Sequence, residues 1–340
     1  MVSKYPGCQP LYRQEQILTR IGVDLPRATL ARWIVRVGTE LIQPLINLLR
    51  GQLAYGYISM DETPTQVLKE PGKTATSQSY LWVQRGGPPG QPIILFDYDP
   101  SRSQEVPLRL LAGFTGILQT DGYAGYYAAV RAQGLIHAGC VAHCRRKFDE
   151  VIKSHQPCGR QWGKHRKKGL AEEALVQIQK LYAVEKAARD MSPEDRQQYR
   201  AQHAKPLWDT LRTWLDTHRP GVLPQSALGK ALAYLANEWD KLVLYLTDGR
   251  IEIDNNRTEN ALRPFCVGRK NWLFHDSVAG AQASANLYSL IETCKACGLE
   301  PYHYLRRIFT DLPRARTLED LEALLPMNLT SDPTLRRSGS

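Results

Sequence analysis

The spacing of apolar residues changes character several times along this chain. Between Leu11 and Val37, residues Ile17, Leu18, Ile21, Leu30, Trp33, Ile34 and Val37 recur at helical spacing, and Gly22 with Pro26 interrupts them. Two helices joined by a tight turn are predicted there. From Tyr57 the rhythm becomes that of strands. YISMDETPTQVL, SYLWVQRGG and PIILFDYDP are rich in β-branched and aromatic residues, and Gly/Pro joints at Glu70-Pro71-Gly72 and around Gly86 to Gly90 separate them. The pattern then gives a helix over Gln104–Ala112 and a fourth strand ending at Asp121. A helix over Tyr126–Gln133 follows, and HAGCVAHCRRKF reads as a short fifth strand running into a basic helix.

Residues 151–250 return to helical periodicity with Pro and Gly breaks, as an all-helical insertion would. The predicted organisation is a helix-turn-helix-like segment over 1–50 and the first part of a catalytic core over 51–150. The insertion over 151–250 is followed by a core helix within 251–275. A helical C-terminal region spans 276–330, and a disordered polar tail 331–340. Three strands, a helix, a strand, a helix and a strand is the order of a ribonuclease H-like mixed sheet, in the α/β class, though other α/β folds share it.

Composition narrows the function. The chain has 340 residues with 43% hydrophobic and 23% charged, ordinary for a globular protein, and no apolar run is long enough to cross a membrane. Seven cysteines without framework spacing fit a reducing cytoplasm. The net charge of +10 points to an anionic partner. Much of it is local. Arg145, Arg146, Lys147, Lys153, Arg160, Lys164, Arg166, Lys167 and Lys168 stand against only Asp149 and Glu150, which favours nucleic acid over a merely solvated loop. Arg27, Arg32 and Arg36 on the second predicted helix offer a further DNA contact, although helical hairpins also serve as plain scaffolding.

Candidate chemistry concentrates in IEIDNNRTENALRPFCVGRKNWLF, residues 251–274. With Asp254 as N-cap, a short helix would run until Pro264 stops it. Asn256, Glu259, Asn260 and Arg263 then share one wholly polar face. A capped surface helix would carry the same pattern. Upstream, Asp61 lies within one strand and Asp121 ends another. Three carboxylates brought together bind hard divalent cations, and two such ions can run an in-line phosphoryl transfer. Glu62, Glu252 and Asp254 compete locally for the ligand role. Cys140, His143 and Cys144, or Cys294 and Cys297, lack the partner pairs of a structural zinc site, so no zinc is expected, and Cys294 and Cys297 read as buried small residues.

SMDETPTQVL, LQTDGYAGY, AGCVAHCRRKF, IDNNRTENALRPFCVGRKNWLF and AGAQASANLYSLIETCKACGLEPYHYLR, in this order, resemble the transposases of insertion-sequence family sixty-six. The resemblance runs from about Lys4 to Asn328. It implies a DDE-type enzyme whose ribonuclease H-like core is interrupted by a helical insertion. Its acidic residues fall on Asp61, Asp121 and Glu259, which would hold Mg²⁺, or Mn²⁺ in its place. It also implies DNA as substrate and target, homo-oligomeric assembly on paired ends, accessory proteins encoded by the same element, and action at the bacterial nucleoid. Arg145, Arg146, Lys147, Arg263, Arg269 and Lys270 are the candidate phosphate contacts, and Trp272 either stacks on a base or belongs to the core. Members carry an upstream helical segment and a zinc-binding motif, so the chain reads as shortened. A nuclease without strand transfer and an inactive DNA-binding remnant are the rival functions.

Overall fold

The computed structural model describes residues 1–155 and 169–336, less the side chain of His155. Helices α1 (Leu11–Arg20), α2 (Arg27–Arg36) and α3 (Gln43–Leu53) precede strands β1 (Tyr57–Lys69), β2 (Gln78–Gly86) and β3 (Ile93–Asp99). Then come α4 (Glu105–Leu110), β4 (Ile117–Gln119), α5 (Tyr127–Gln133), β5 (Ile136–Ala138) and α6 (Val141–His155), in the order the sequence predicts. Helices α7 (Leu170–Ala187), α8 (Pro193–His203), α9 (Lys205–His218), α10 (Ala227–Asn237) and α11 (Trp239–Val243) follow. The chain continues through α12 (Asn256–Trp272), β6 (His275–Ser277), α13 (Val278–Ala296), α14 (Pro301–Asp311) and α15 (Leu318–Glu322). The class is mixed α/β, with both parallel and antiparallel strand pairs. No helix among the described residues is long and apolar enough to cross a membrane.

The described residues divide into two compact units. One comprises Met1–Gly116, Gly125–Leu135 and the chain from Arg257 onward, and the other Ile117–Ala124 and Ile136–Asn256. Strands β4 and β5 thus group with the helical insertion, whereas the sequence scheme placed them with β1 to β3.

In the first unit β2 pairs antiparallel with β1 and β3, setting Thr63 opposite Leu81 and Val83 opposite Phe96, and β6 runs parallel to β1. Residues on both faces of β1 are buried: Ile58 and Met60 on one, Ser59, Thr63, Thr65 and Val67 on the other. The outer edge of β3 is closed by side chains of α13. Ser289 Oγ accepts the Phe96 N–H at 2.7 Å, and Thr293 Oγ1 accepts from Ile94 N and donates to Ile94 O, both at 3.0 Å. An edge strand is thereby kept from pairing with other chains. Gly38 lets its backbone approach α13, because a Cβ there would lie 2.7 Å from Ala283.

In the second unit β4 and β5 are parallel, with Leu118 opposite His137. Gln119 Nε2 donates to the carbonyls of Gly139 and Glu252 at 3.0 and 2.7 Å, tying the strand pair to the end of the insertion. The insertion packs around Trp208, Leu211, Leu232, Leu235 and Tyr245. Arg200, 1% exposed, pairs with Glu185 at 2.7 Å and donates to the carbonyls of Tyr245 and Asp248.

Three expectations are corrected. Pro264 does not end its helix, and α12 runs on to Trp272 with Pro264 inside it. The reason is tertiary: beyond the proline, Phe265 and Gly268 are buried, and the Phe265 ring lies 5.5 Å from Tyr288 on α13, offsetting a proline penalty of about 3 kcal/mol. The tail is not frayed over 331–336. Leu335 is buried, its carbonyl accepts the Glu300 N–H at 2.8 Å, and Arg336 bridges to Leu299. Finally, the apolar spacing of the helical pair suits packing, yet of its seven positions three are exposed, three half-buried and one buried. Helix α1 buries no residue, α2 buries only Ile34, and Ile17, Ile21 and Trp33 are exposed. Of the basic cluster, Arg160, Lys164, Arg166, Lys167 and Lys168 lie outside the described residues.

Candidate active site

Helix α12 lies along one face of β1, held by two side-chain contacts. Thr258 Oγ1 donates to Ser59 Oγ at 2.9 Å, and Thr63 Oγ1 lies 3.6 Å from Cys266 Sγ. Asp61 sits midway between Ser59 and Thr63, and strand alternation sends its side chain to that same face. Glu259 follows Thr258 directly. The first unit therefore brings Asp61 and Glu259 to one strand–helix seam, although they stand far apart in sequence. Both are half-buried. Along α12, Asn256, Asn260 and Arg263 are exposed while Ala261 and Leu262 are buried, as the polar stripe predicts.

Two of the three competing acids are engaged by named partners. The Glu62 carboxyl, 3% exposed, pairs with Arg102 at 2.6 Å and accepts from the Tyr126 hydroxyl at 2.6 Å. Asp254 accepts the Tyr182 hydroxyl at 2.7 Å, the Asn256 N–H at 3.0 Å and Asn256 Nδ2 at 2.7 Å. It closes an Asx turn one residue ahead of the cap position, since α12 begins at Asn256, and desolvation, then the Asp254 charge, pushes the Tyr182 phenol upward. Neither Arg102 nor Tyr126 was singled out in the sequence, because their role depends on partners 40 and 64 residues away.

Asp121 belongs to the second unit, two residues beyond the C-terminal end of β4. Its Oδ1 accepts the Tyr123 N–H at 2.9 Å, which fixes the turn. Thr120, fully buried, donates N–H to Ala138 O and shares a 2.8 Å hydrogen bond with His137 Nε2. Burial, helped by the Lys241 charge, lowers His137 to about 4, so it is neutral at physiological pH.

The basic candidates are exposed or half-exposed. Arg145, Arg146 and Lys147 project from α6, and Arg145 and Arg146 line a cavity of about 350 Å³ with Lys153, Tyr182 and Asn256. Asp149 enters the same cavity, 4.0 Å from Arg145. On α12, Arg263 and Lys270 are exposed, and Arg269 Nη1 donates to Thr63 Oγ1 at 3.2 Å. Arg27 and Arg32 are exposed on α2, and the Arg27 guanidinium lies 5.9 Å from the Tyr12 ring. Trp272 packs against His275 and Phe265 at 4.6 and 5.4 Å, which favours the core alternative for it.

Three of the six described thiols, those of Cys140, Cys144 and Cys294, are buried. Cys140 Sγ donates to Asn255 Oδ1 at 2.9 Å, and burial, then the neighbouring Cys140, pushes the Cys144 thiol well up. Cys294 is fully buried as expected, whereas Cys297 is only half-buried, its thiol raised to about 11 by burial.

Comparison with known proteins gives a consistent result. The family described as "Transposase IS66 family" matches residues 1–283, and "IS66 C-terminal element" matches residues 289–327. Similar curated proteins come from Sinorhizobium fredii (strain NBRC 101917 / NGR234). Uncharacterized protein y4jD is 34% identical over 98% of this chain and 65% of its own length, and uncharacterized protein y4qI is 31% identical over 97% and 61%. The chain therefore spans less than two thirds of these relatives.

Proposed function

The chain belongs to the IS66 transposase family, and from that premise we propose that it is a DDE-type DNA transposase built on a ribonuclease H-like core. Asp61, Asp121 and Glu259 are its acidic set. The observation that carries this reading is the α12–β1 seam, where Asp61 and Glu259 share a face while Glu62 is held by Arg102 and Tyr126. The order of strands and helices and the mixed strand sense support the core assignment.

A donor set of carboxylate oxygens suits a hard cation, so Asp61, Asp121 and Glu259 would hold Mg²⁺ or Mn²⁺. Bound there, the metal supplies activation of the attacking oxygen and charge stabilisation for the leaving one. Water attacks in the cleavage step and a freed 3′-hydroxyl in the joining step, with no covalent enzyme intermediate. Cys140 is buried, and Cys144 is buried with its thiol pushed up by that burial, so neither is suited to act as a nucleophile. Arg263, Arg269 and Lys270 on α12 and Arg145, Arg146 and Lys147 on α6 hold phosphates, with Arg27 and Arg32 as outlying contacts. Assembly is as an oligomer on paired DNA ends, with accessory proteins of the same element, on bacterial nucleoid DNA.

The test is cleavage and joining of labelled element-end DNA in Mg²⁺. The intact chain is expected to cut and join. Asp61→Asn, Asp121→Asn and Glu259→Gln are each expected to bind DNA with loss of both steps by at least ~10³-fold. Cutting without joining would reassign the protein as a nuclease, and unimpaired cleavage by any of the three variants would remove that residue from the acidic set.

A further inference from the structure

Beyond the seam, residues of β1, the β1–β2 connection and the end of α12 line an open surface cavity of about 430 Å³. Thr65, Gln66, Thr76, Ser77, Arg269 and Lys270 line it, and none of its lining residues is acidic. Among the described residues no carboxylate forms an ion pair with Arg269 or Lys270. Arg269 is instead steadied by Thr63 Oγ1 and by the Phe265 ring, 5.8 Å from its guanidinium carbon. Thr65 is 4% exposed, and its Oγ1 is buried with no hydrogen-bond partner among the described residues. A buried hydroxyl left unpaired costs about 1–3 kcal/mol, and an oxyanion held beside it in the cavity would supply the missing partner. Two cations without counter-charge and an idle donor make a site for an oxyanion. The basic cavity on α6 is less suited, because Asp149 already competes there.

We propose that this cavity binds a backbone phosphate of a DNA strand, and that it is a holding site distinct from the reacting centre. The proposal rests on the transposase reading for its ligand. Thr65 lies four strand residues beyond Asp61, about 13 Å, and Arg269 lies ten helix residues beyond Glu259, about 15 Å. At about 3.4 Å per step of a strand, that is roughly four nucleotides from the carboxylates, too far for the reacting phosphate. Thr65 is on the same strand face as Asp61, so a strand laid along the seam passes both. The contacts are to phosphate alone, so the site holds DNA without reading its sequence.

The test is binding of the full chain to a 30-bp duplex of arbitrary sequence in Mg²⁺-free buffer across a salt series, with no turnover required. Lys270→Gln, an exposed and unpaired position, is expected to weaken binding about three- to tenfold at 0.1 M salt and to lower the slope of log K against log salt by about 1. Arg269→Gln should do the same, and Thr65→Val should weaken binding with the slope unchanged. A second arm titrates inorganic phosphate alone at fixed ionic strength. Phosphate binding that Lys270→Gln abolishes, with an unaltered DNA slope, would make this a free-phosphate site and overturn the strand assignment. If the unmutated chain binds DNA and Lys270→Gln leaves both affinity and slope unchanged, the cavity proposal fails while the transposase reading stands. If the unmutated chain does not bind DNA at all, both fail.

Discussion

At the scale of the residue, two adjacent acids on β1 have opposite fates. Glu62 is consumed by Arg102 and Tyr126, whereas Asp61 faces the helix that carries Glu259. Glu62→Gln is therefore expected to lose about 1–3 kcal/mol of stability, read by urea unfolding, while keeping cleavage within a few-fold. Asp61→Asn should show the reverse, with activity gone and stability nearly intact. His275 supplies a pH signature. Burial, helped by the Lys4 charge, lowers it from 6.5 to about 3, so it is neutral in the folded chain. The unfolded chain takes up this proton as pH falls below 6.5. The stability contribution is thus full above 6.5 and is lost progressively from there down to about 3, at about 1.4 kcal/mol per pH unit. His275→Phe, which keeps an aromatic ring beside Phe265 and Trp272, is expected to reduce the stability loss between pH 7.5 and 5.0 by ~2 kcal/mol in denaturant titrations.

Among the elements, α12 and α13 decide whether the seam exists. Pro264 interrupts the hydrogen bonding of α12, so Pro264→Ala should raise stability by about 1 kcal/mol or more. A simultaneous fall in cleavage would reveal that the proline sets the direction in which Glu259 points. On α13, Ser289→Ala and Thr293→Val each strip a buried main-chain N–H of β3 of its acceptor. Each should cost about 1–3 kcal/mol and speed hydrogen exchange at Phe96 or Ile94. These two elements also mark where sequence reading works and where it stops. The polar stripe of α12 was legible because Asn256, Glu259, Asn260 and Arg263 repeat at helical spacing. Its length was not, because the ring that buries Phe265 belongs to Tyr288, on another helix. The edge-closing role of Ser289 and Thr293 was equally hidden, since nothing near them in sequence distinguishes them from ordinary helical hydroxyls.

For the molecule as a whole, the order of strands and helices from β1 to α6 could be read, because period and Gly/Pro punctuation are local signals, whereas α3 and β6 were not foreseen. Which neighbouring acids are tied up could not be read, because that depends on Arg102, Tyr126 and Tyr182, brought in by the fold; Asp61, Asp121 and Glu259 stand out only through the family resemblance. The apolar spacing of the helical pair α1–α2 predicts its helices and suits packing, yet Ile17, Ile21 and Trp33 are open to solvent. The six cysteines among the described residues are all unbridged. Addition of a thiol reductant is accordingly expected to move the thermal midpoint by less than ~1 °C, where loss of a bridge would move it by several degrees.

The closure of β3 by α13 joins residues 193 and 199 positions apart. A ribosome adding about 5–20 residues per second needs roughly 10–40 s to cover that gap. Throughout that interval the nascent chain presents the hydrogen-bonding edge of β3 without the hydroxyls that will occupy it, a window in which a chaperone, or a neighbouring nascent copy on the same message, can claim it first. Asp61 and Glu259 meet only after nearly the same wait, so a chain abandoned in mid-synthesis carries only the strand half of the seam.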